Sequence, residues 1–269
     1  MRLLVTNDDG IDSLFLRTLV AALQAAGHEL FVVAPVKEQS WTGASKTRHR
    51  PVKSGLADRG FGCPTWTVDG TPSDCVNIAL AHLLPAPPAG ARPGPAPQVD
   101  GVVSGINVGY NCSLGFILAS GTVAGAWEGA LHGLPAMALS QDLAEDVYEQ
   151  LKDRGGAPDA ALLATLQISA AHAARMVGPL FGATGANSFT VHNLNFPFPC
   201  SGDTPMYRTV PAQVNAPGLF SPATADGSHR LLWGDVIDVS PAGTLTDLQC
   251  LAQGGISHTV LDYRKIGHG

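Results

Sequence analysis

Asp8 and Asp9 stand side by side in the run LLVTNDDGID, residues 3–12. Two carboxylates this close repel, so the pair calls for a cation or for protonation. Taken alone, the pair also fits a helix N-cap with a second acid favoured by the helix dipole. Further along, Ser40 and Asn107 bring a hydroxyl and an amide carbonyl. A hard divalent cation prefers carboxylate, carbonyl and hydroxyl oxygens, and two Asp, one Ser and one Asn leave positions for water. Ser120, Gly121 and Thr122 lie where a helix begins, and small residues there can offer N–H groups and hydroxyls to an anion. The plain alternative for that tripeptide is a Ser/Thr cap. A metal, an activated water and an anion cradle together describe metal-assisted hydrolysis of a phosphate ester.

These residues can cooperate only if the chain brings them to one place. The apolar run before Asn7 stops at a turn signal and reads as a buried strand. Ser13 to Ala26 carries Leu14, Leu16, Leu19, Val20 and Leu23, a helical spacing that ends at Gly27. Asp8 and Asp9 therefore sit between a strand and a helix, and open parallel sheets bind ligands at the carboxyl ends of their strands. Glu29–Pro35 (ELFVVAP) reads as a second strand after a right-handed crossover, so the polar loop holding Ser40 and Gly43 leaves the same edge. By itself that loop reads as a solvated connection.

Thr65–Val68 reads as a short strand, and residues 70–84 as a helix capped by Ser73 or Asp74. Cys75 within it reads as a small packed residue. Val99–Ser104 is the next strand, ending in a glycine-bearing turn, GINVGYN, that holds Asn107 and Asn111. A helix over 120–133, a strand over 134–140, a long helix from Asp159 to Val177 and a strand from Ser188 to Phe196 follow. His172, inside the long helix, reads as structural or exposed. Beyond Pro199, β-type segments alternate with Gly/Pro turns, and residues 246–262 read as a short capped helix, a Gly pair and a strand. The fold class is α/β: a core over 1–199 built on a parallel sheet flanked by helices, with an extension over 200–269. Residues 85–98 (PAPPAGARPGPAPQ) form a low-complexity surface loop, not a domain boundary.

Composition narrows the function. A net charge of −6 argues against a general nucleic-acid surface, although a local metal can reverse the field for a phosphorylated small molecule. Five scattered cysteines without a CxxC pattern argue against a disulfide framework or a structural zinc site. The first residues hold too short an apolar run for a signal peptide, and no stretch reads as a membrane span of ~20 apolar residues. The expectation is a soluble, cytoplasmic protein.

At this point the sequence resembles the SurE (survival protein E) family of metal-dependent nucleotide phosphatases. The matching segments are LLVTNDDGI (3–11), VVAPVKEQSWTGAS (32–45), GTPSDCVNIAL (70–80), VVSGINVGYN (102–111), SGTVAGAWEGALHGLPAMALS (120–140) and NLNFP (193–197), with a looser match at 246–261. The resemblance implies a Rossmann-like core and a single divalent ion per subunit, Mg²⁺ or Mn²⁺. It implies hydrolysis of nucleoside monophosphates, 5′- and also 3′-, with Asp8 and Asp9 as catalytic groups. Metal ligands map onto Asp8, Asp9, Ser40 and Asn107. Phosphate contacts map onto Ser120, Gly121 and Thr122, with Asn111 and Gly43 in the adjoining motifs. Dimers or tetramers with exchanged C-terminal elements are implied as well, and neither a nucleic-acid polymer nor a membrane is a partner. The chain departs from the common pattern at Asp12, where many members have His, at Trp41, where Gly is frequent, and at LGFILA (114–119), where many have an acidic pair and a Tyr. These differences bear on the group beyond the phosphate.

Three rivals compete with this reading. A phosphoacceptor receiver domain also pairs acids after its first strand, but it needs a further Asp after a central strand and a Lys after a later one. Here Ser104–Gly105 and Gln141 occupy the corresponding places. The other two are a phosphatase acting on a different phosphorylated metabolite, and a non-catalytic metal or nucleotide sensor on the same fold.

Overall fold

Leu3, Leu4 and Val5 are fully buried, because their strand runs through the middle of a nine-stranded sheet. The structure is a computed structural model that describes residues 1–84, 99–216, 218–232 and 236–266. The Pro-rich stretch 85–98 lies outside the described residues. In chain order the elements are β1 (Arg2–Thr6), α1 (Leu14–Ala25), β2 (Glu29–Pro35), β3 (Ser54–Leu56), β4 (Thr65–Val68), α2 (Pro72–Ile78), β5 (Gly101–Val108), α3 (Leu114–Ala119) and α4 (Gly121–Leu131). They continue with β6 (Ala136–Gln141), α5 (Glu145–Asp153), α6 (Ala160–Ala183), β7 (Thr190–Phe196), β8 (Met206–Thr209), β9 (Val214–Asn215), β10 (Ile237–Asp238), α7 (Asp247–Ala252) and β11 (Ile256–Asp262).

The strand order is β3-β4-β2-β1-β5-β6-β7-β11-β8, and the six strands from β4 to β7 are mutually parallel. Side chains of a strand alternate between faces. Leu3 and Val5 accordingly join one core with Leu16, Leu19 and Val20 of α1 and Leu166, Ala170 and Ala173 of α6. Leu4 faces the other way, into a second core with Val76 of α2 and Val123 and Ala126 of α4. This is a helix–sheet–helix sandwich of the Rossmann-like α/β type.

Several local expectations are corrected. The α2 cap is Thr71, not Ser73 or Asp74: Thr71 Oγ1 accepts from Asp74 N (3.2 Å), while Asp74 Oδ2 accepts from Thr71 N (2.9 Å). Asp74 is the third residue of that capping box, and Pro72 occupies the first turn, where a missing N–H costs nothing. β5 does not stop at Ser104 but continues to Val108, so Asn107 lies on a strand end and not in a turn. α6 runs on past Val177 to Ala183. α3, α5 and β3 had no counterpart in the sequence reading. By length and composition α6 could cross a membrane, unlike any stretch recognised in the sequence; here half of its apolar window is buried, as a core helix against α1.

The sheet also crosses residue 200. β11 pairs antiparallel with β7 from Ser257↔Asn195 to Asp262↔Thr190, and β8 adds parallel to β11. Only the small β9–β10 pair stands outside the main sheet among the described residues.

Candidate active site

From β1 the chain moves outward to β2 and β4, and then returns across β1 to β5. The crevice between β1 and β5 is therefore the point where strand order reverses, the usual ligand position in an open parallel sheet. Asp8 and Asp9 follow β1 at the mouth of that crevice, and Asn107, one residue before the end of β5, stands on its other side. Val108 N donates across it to Asp9 Oδ2 (3.1 Å). Asn7 Nδ2 closes the intervening turn on Gly10 O (2.9 Å).

Asp8 is buried, and one residue holds both of its oxygens. Thr122 donates its backbone N–H to Oδ2 (3.0 Å) and its hydroxyl to Oδ1. Burial raises the Asp8 carboxyl to about 6, against the pull of the two Thr122 bonds, with Glu38 adding to the rise. Asp9 is pushed well above the usual carboxylate range, first by desolvation and then by the charge of Asp8. The pair is thus short of compensating charge. No Lys, Arg or His forms an ion pair with either carboxylate among the described residues.

Gly121 explains how α4 comes so close. A Cβ there would lie 2.9 Å from both Asp8 Cβ and Asp8 Oδ2, and 3.0 Å from Gln39 O. Only hydrogen lets the helix start abut the carboxylate. Ser120 caps α4, its Oγ accepting from Val123 N (3.1 Å). Of the two readings of this tripeptide, the cap describes Ser120, whereas Thr122 serves Asp8, which neither reading anticipated.

The Ser40 loop is tied to the same point. Gln39 N donates to Asp8 O (2.7 Å), which sets Ser40, itself exposed, one residue from Asp8's backbone partner. Gly43 N donates to Ala119 O (2.9 Å); at φ +53 a Cβ on Gly43 would lie 2.9 Å from Leu118 O, so the loop docks on α3. Trp41 and Tyr110 both meet the Phe116 ring edge-on, at 5.6 and 6.1 Å. Farther along, Lys46 Nζ reaches buried Glu128 of α4 (2.6 Å). The loop is therefore anchored at several points and is not simply solvated.

Asn107 donates its Nδ2 to Gly109 O (2.7 Å), which leaves its carbonyl oxygen as the group suited to a cation. Asn111 sits deeper, in a buried polar network. Its N donates to Asn195 Oδ1 (2.7 Å), its Nδ2 to Ser140 Oγ (2.8 Å), and its carbonyl accepts from Asn193 Nδ2 (2.8 Å). Asp247 then holds the turn after it, accepting from Ser113 N (2.9 Å) and Ala212 N (2.8 Å). This network depends on the ends of β6, β7 and α7, and no short spacing in the sequence announces it. Asp142, just past the end of β6, is a further acid that sequence reasoning did not single out; burial raises it to about 6. Its position directly after a strand end was the available signal. His172 is buried with Nε2 at 2.8 Å from Ser201 O, a structural role.

Comparison with known proteins identifies the family. The model of the family described as "Survival protein SurE" matches residues 3–216. The protein named 5′-nucleotidase SurE from Nostoc sp. is 45% identical over 142 residues, which cover 52% of this chain and 49% of that one. The protein of the same name from Desulforudis audaxviator is 44% identical over 141 residues, covering 52% and 50%. The chain thus spans about half the length of the curated relatives it matches. The crystal structure of the SurE protein from Aquifex aeolicus superposes with a TM-score of 0.67 at 24% identity, covering 99% of this chain and 97% of that one. That last likeness supports the fold alone.

Proposed function

The chain belongs to the SurE family, and from that premise we propose that it is a metal-dependent phosphatase hydrolysing 5′- and 3′-nucleoside monophosphates to nucleoside and phosphate. The observation that carries this reading is the buried pair Asp8–Asp9, set at the reversal of strand order with the start of α4 against it.

The donor set fits a hard divalent ion. Asp8 and Asp9 are desolvated, mutually repelling and unpaired by any cationic side chain among the described residues, and Asn107 and Ser40 add neutral oxygens. No group of three or more His, Cys, Asp or Glu gathers among the described residues, so these four would hold it with two carboxylates at most. An all-oxygen set favours Mg²⁺ or Mn²⁺ over zinc. When bound, such an ion supplies Lewis acidity and offsets charge on phosphoryl oxygens.

The chain's own groups do the rest. Asp8, locked by Thr122, and Asp9, held by Val108 N, orient a water and accept its proton as it adds to phosphorus. The ester oxygen takes up that proton as the P–O bond breaks and leaves as the nucleoside hydroxyl. Ser120–Thr122 and the α4 dipole favour the anionic phosphoryl group at the helix N-terminus, and Gly43 and Asn111 fix the loops on either side. The test is phosphate release from AMP by the full chain with added Mn²⁺ or Mg²⁺, and its loss in excess EDTA. Tight nucleotide binding without release would favour the sensor reading, and release from other esters but not nucleotides would favour a different metabolite.

A homodimer or homotetramer completed by C-terminal exchange suits the exposed apolar residues Phe220, Leu231, Leu232 and Ile237. The free Cys63, Cys75, Cys112, Cys200 and Cys250 suit a reducing, cytoplasmic setting.

A further inference from the structure

Asp247 is fully buried at the start of α7, and no Lys, Arg or His forms an ion pair with it among the described residues. Backbone N–H groups of three segments point at it instead. Ser113 N donates to Oδ2 (2.9 Å), while Ala212 N (2.8 Å) and Leu248 N (2.9 Å) donate to Oδ1. Burial raises its carboxyl, and these bonds pull it back. Capping α7 does not account for it, because Thr246 and Gln249 already form the capping box of that helix. A buried carboxylate without a counter-charge costs stability, so the reason for it lies in what it holds.

Asp247 holds the joint between the two sides of the site. Ser113 has φ +68, a left-handed backbone that a residue with a Cβ rarely adopts. Before Ser113 runs the loop that carries Asn111 and Gly109, whose carbonyl accepts from Asn107 Nδ2 (2.7 Å). After Ser113 comes α3, seated at its first residue by Leu114 N on Ala212 O (3.0 Å) and at its last by Gly43 N on Ala119 O (2.9 Å). α3 is six residues long and leads directly into Ser120 and α4, whose start abuts Asp8.

We infer that Asp247 is a positioning residue for the reaction: it fixes Ser113, and through that turn sets both the Asn107–Asn111 loop and α3 against the Asp8–Asp9 pair. The site then draws on the extension over 200–269 as well as on the core. The inference rests on the phosphatase reading for the reaction and for the metal at Asn107, and the test separates the two.

Asp247→Asn keeps the shape. Its amide oxygen can still accept from Ala212 N and Leu248 N, which turns its NH2 group onto Ser113 N–H, donor against donor. Three measurements on the full chain read the result: amide hydrogen exchange at Ser113 without metal, calorimetric Mn²⁺ binding, and kcat/KM for AMP with Mn²⁺. Exchange at Ser113 is expected to quicken, and Mn²⁺ affinity and kcat/KM to fall about tenfold or more, as for a group behind a metal ligand. Thr209→Val is the control. Thr209 Oγ1 lies 2.9 Å from Ser257 Oγ and 2.8 Å from Thr259 Oγ1 where β8 meets β11, so its loss loosens the same C-terminal segment without removing a bond to Ser113. Its Mn²⁺ affinity and kcat/KM should match those of the parent. Asp247→Ser, too short to reach Ser113 N, replaces the Asn variant if that folds poorly. A parent that binds Mn²⁺ but releases no phosphate defeats the phosphatase reading, and Mn²⁺ affinity with Ser113 exchange then decides the role of Asp247. Parent-like Ser113 exchange or parent-like Mn²⁺ affinity in the Asp247 variant, an equal loss in Thr209→Val, or no Mn²⁺ binding by the parent overturns the assignment.

Discussion

Thr122 grips both oxygens of Asp8, one with its backbone N–H and one with its hydroxyl. The residue expected to meet phosphate is therefore also the residue that fixes the first carboxylate. A bond to a charged group contributes roughly 1.5–3 kcal/mol, and losing a group behind a metal ligand typically costs about 10–100-fold in affinity or activity. Thr122→Val should keep the fold and lower kcat within that range, and Thr122→Ser should restore most of it. Parent-like kinetics in the valine variant would mean that the hydroxyl has no part in the reaction.

The carboxylates themselves separate capping from metal binding. Asn caps a helix about as well as Asp, so a merely capping pair would tolerate Asn. We expect Asp9→Asn to fold normally, bind Mn²⁺ far more weakly and regain part of its activity at high metal. Asp8→Asn should lose activity that saturating metal does not restore. Calorimetric metal titration beside a phosphate-release assay reads both, and parent-like behaviour of both variants would refute the proposed site.

Gly121 offers an independent test. Ala is the better helix former by about 1 kcal/mol, so Gly121→Ala would stabilise a helix with free space around it. Its Cβ would instead press on Asp8 from 2.9 Å. The expected outcome is a thermal midpoint little changed and a large loss of activity. A more stable, fully active variant would show that Asp8 tolerates displacement.

A buried histidine pair sets one pH dependence. His192 Nδ1 and His258 Nε2 lie 3.0 Å apart between β7 and β11, and Thr184 Oγ1 holds His192 Nε2 at 2.7 Å. Burial, with the charge of Arg208 nearby, lowers both histidines to about 4 from 6.5. Between those values the unfolded chain binds more protons than the folded one, so this contribution to stability is present above pH 6.5 and falls as pH drops toward 4. Urea midpoints of the parent should show it, and His192→Gln should flatten that part of the profile. An identical slope in the variant would place the effect elsewhere.

The proposed assembly makes a prediction about exposed apolar surface. Phe220 and Ile237, the latter on β10, are 66% and 59% exposed. Replacing both by Ser should lower the mass seen by light scattering. A parent that is monomeric and fully active at assay concentration would contradict the proposed exchange.

Sequence alone carried the elements whose local signals are strong. The apolar runs of β1 and β2, the spacing of α1 and its stop at Gly27, and the Ser120 cap are local features, set by periodicity and by hydrogen bonds a few residues long. They sufficed to place Asp8, Asp9, Ser40 and Thr122 at one sheet edge. Short elements were lost: α3 is six residues without polar punctuation, and β3 is three exposed residues whose strand state depends on pairing with β4. What only the tertiary structure decided are relations across long separations. Thr122 on Asp8 spans 114 residues, Val108 on Asp9 spans 99, and Asn111 on Asn195 spans 84. β11 beside β7 and Asp247 on Ser113 are of the same kind. Such contacts leave no period in the chain, because they form only when packing on both faces of the sheet fixes where its strand ends and helix starts converge.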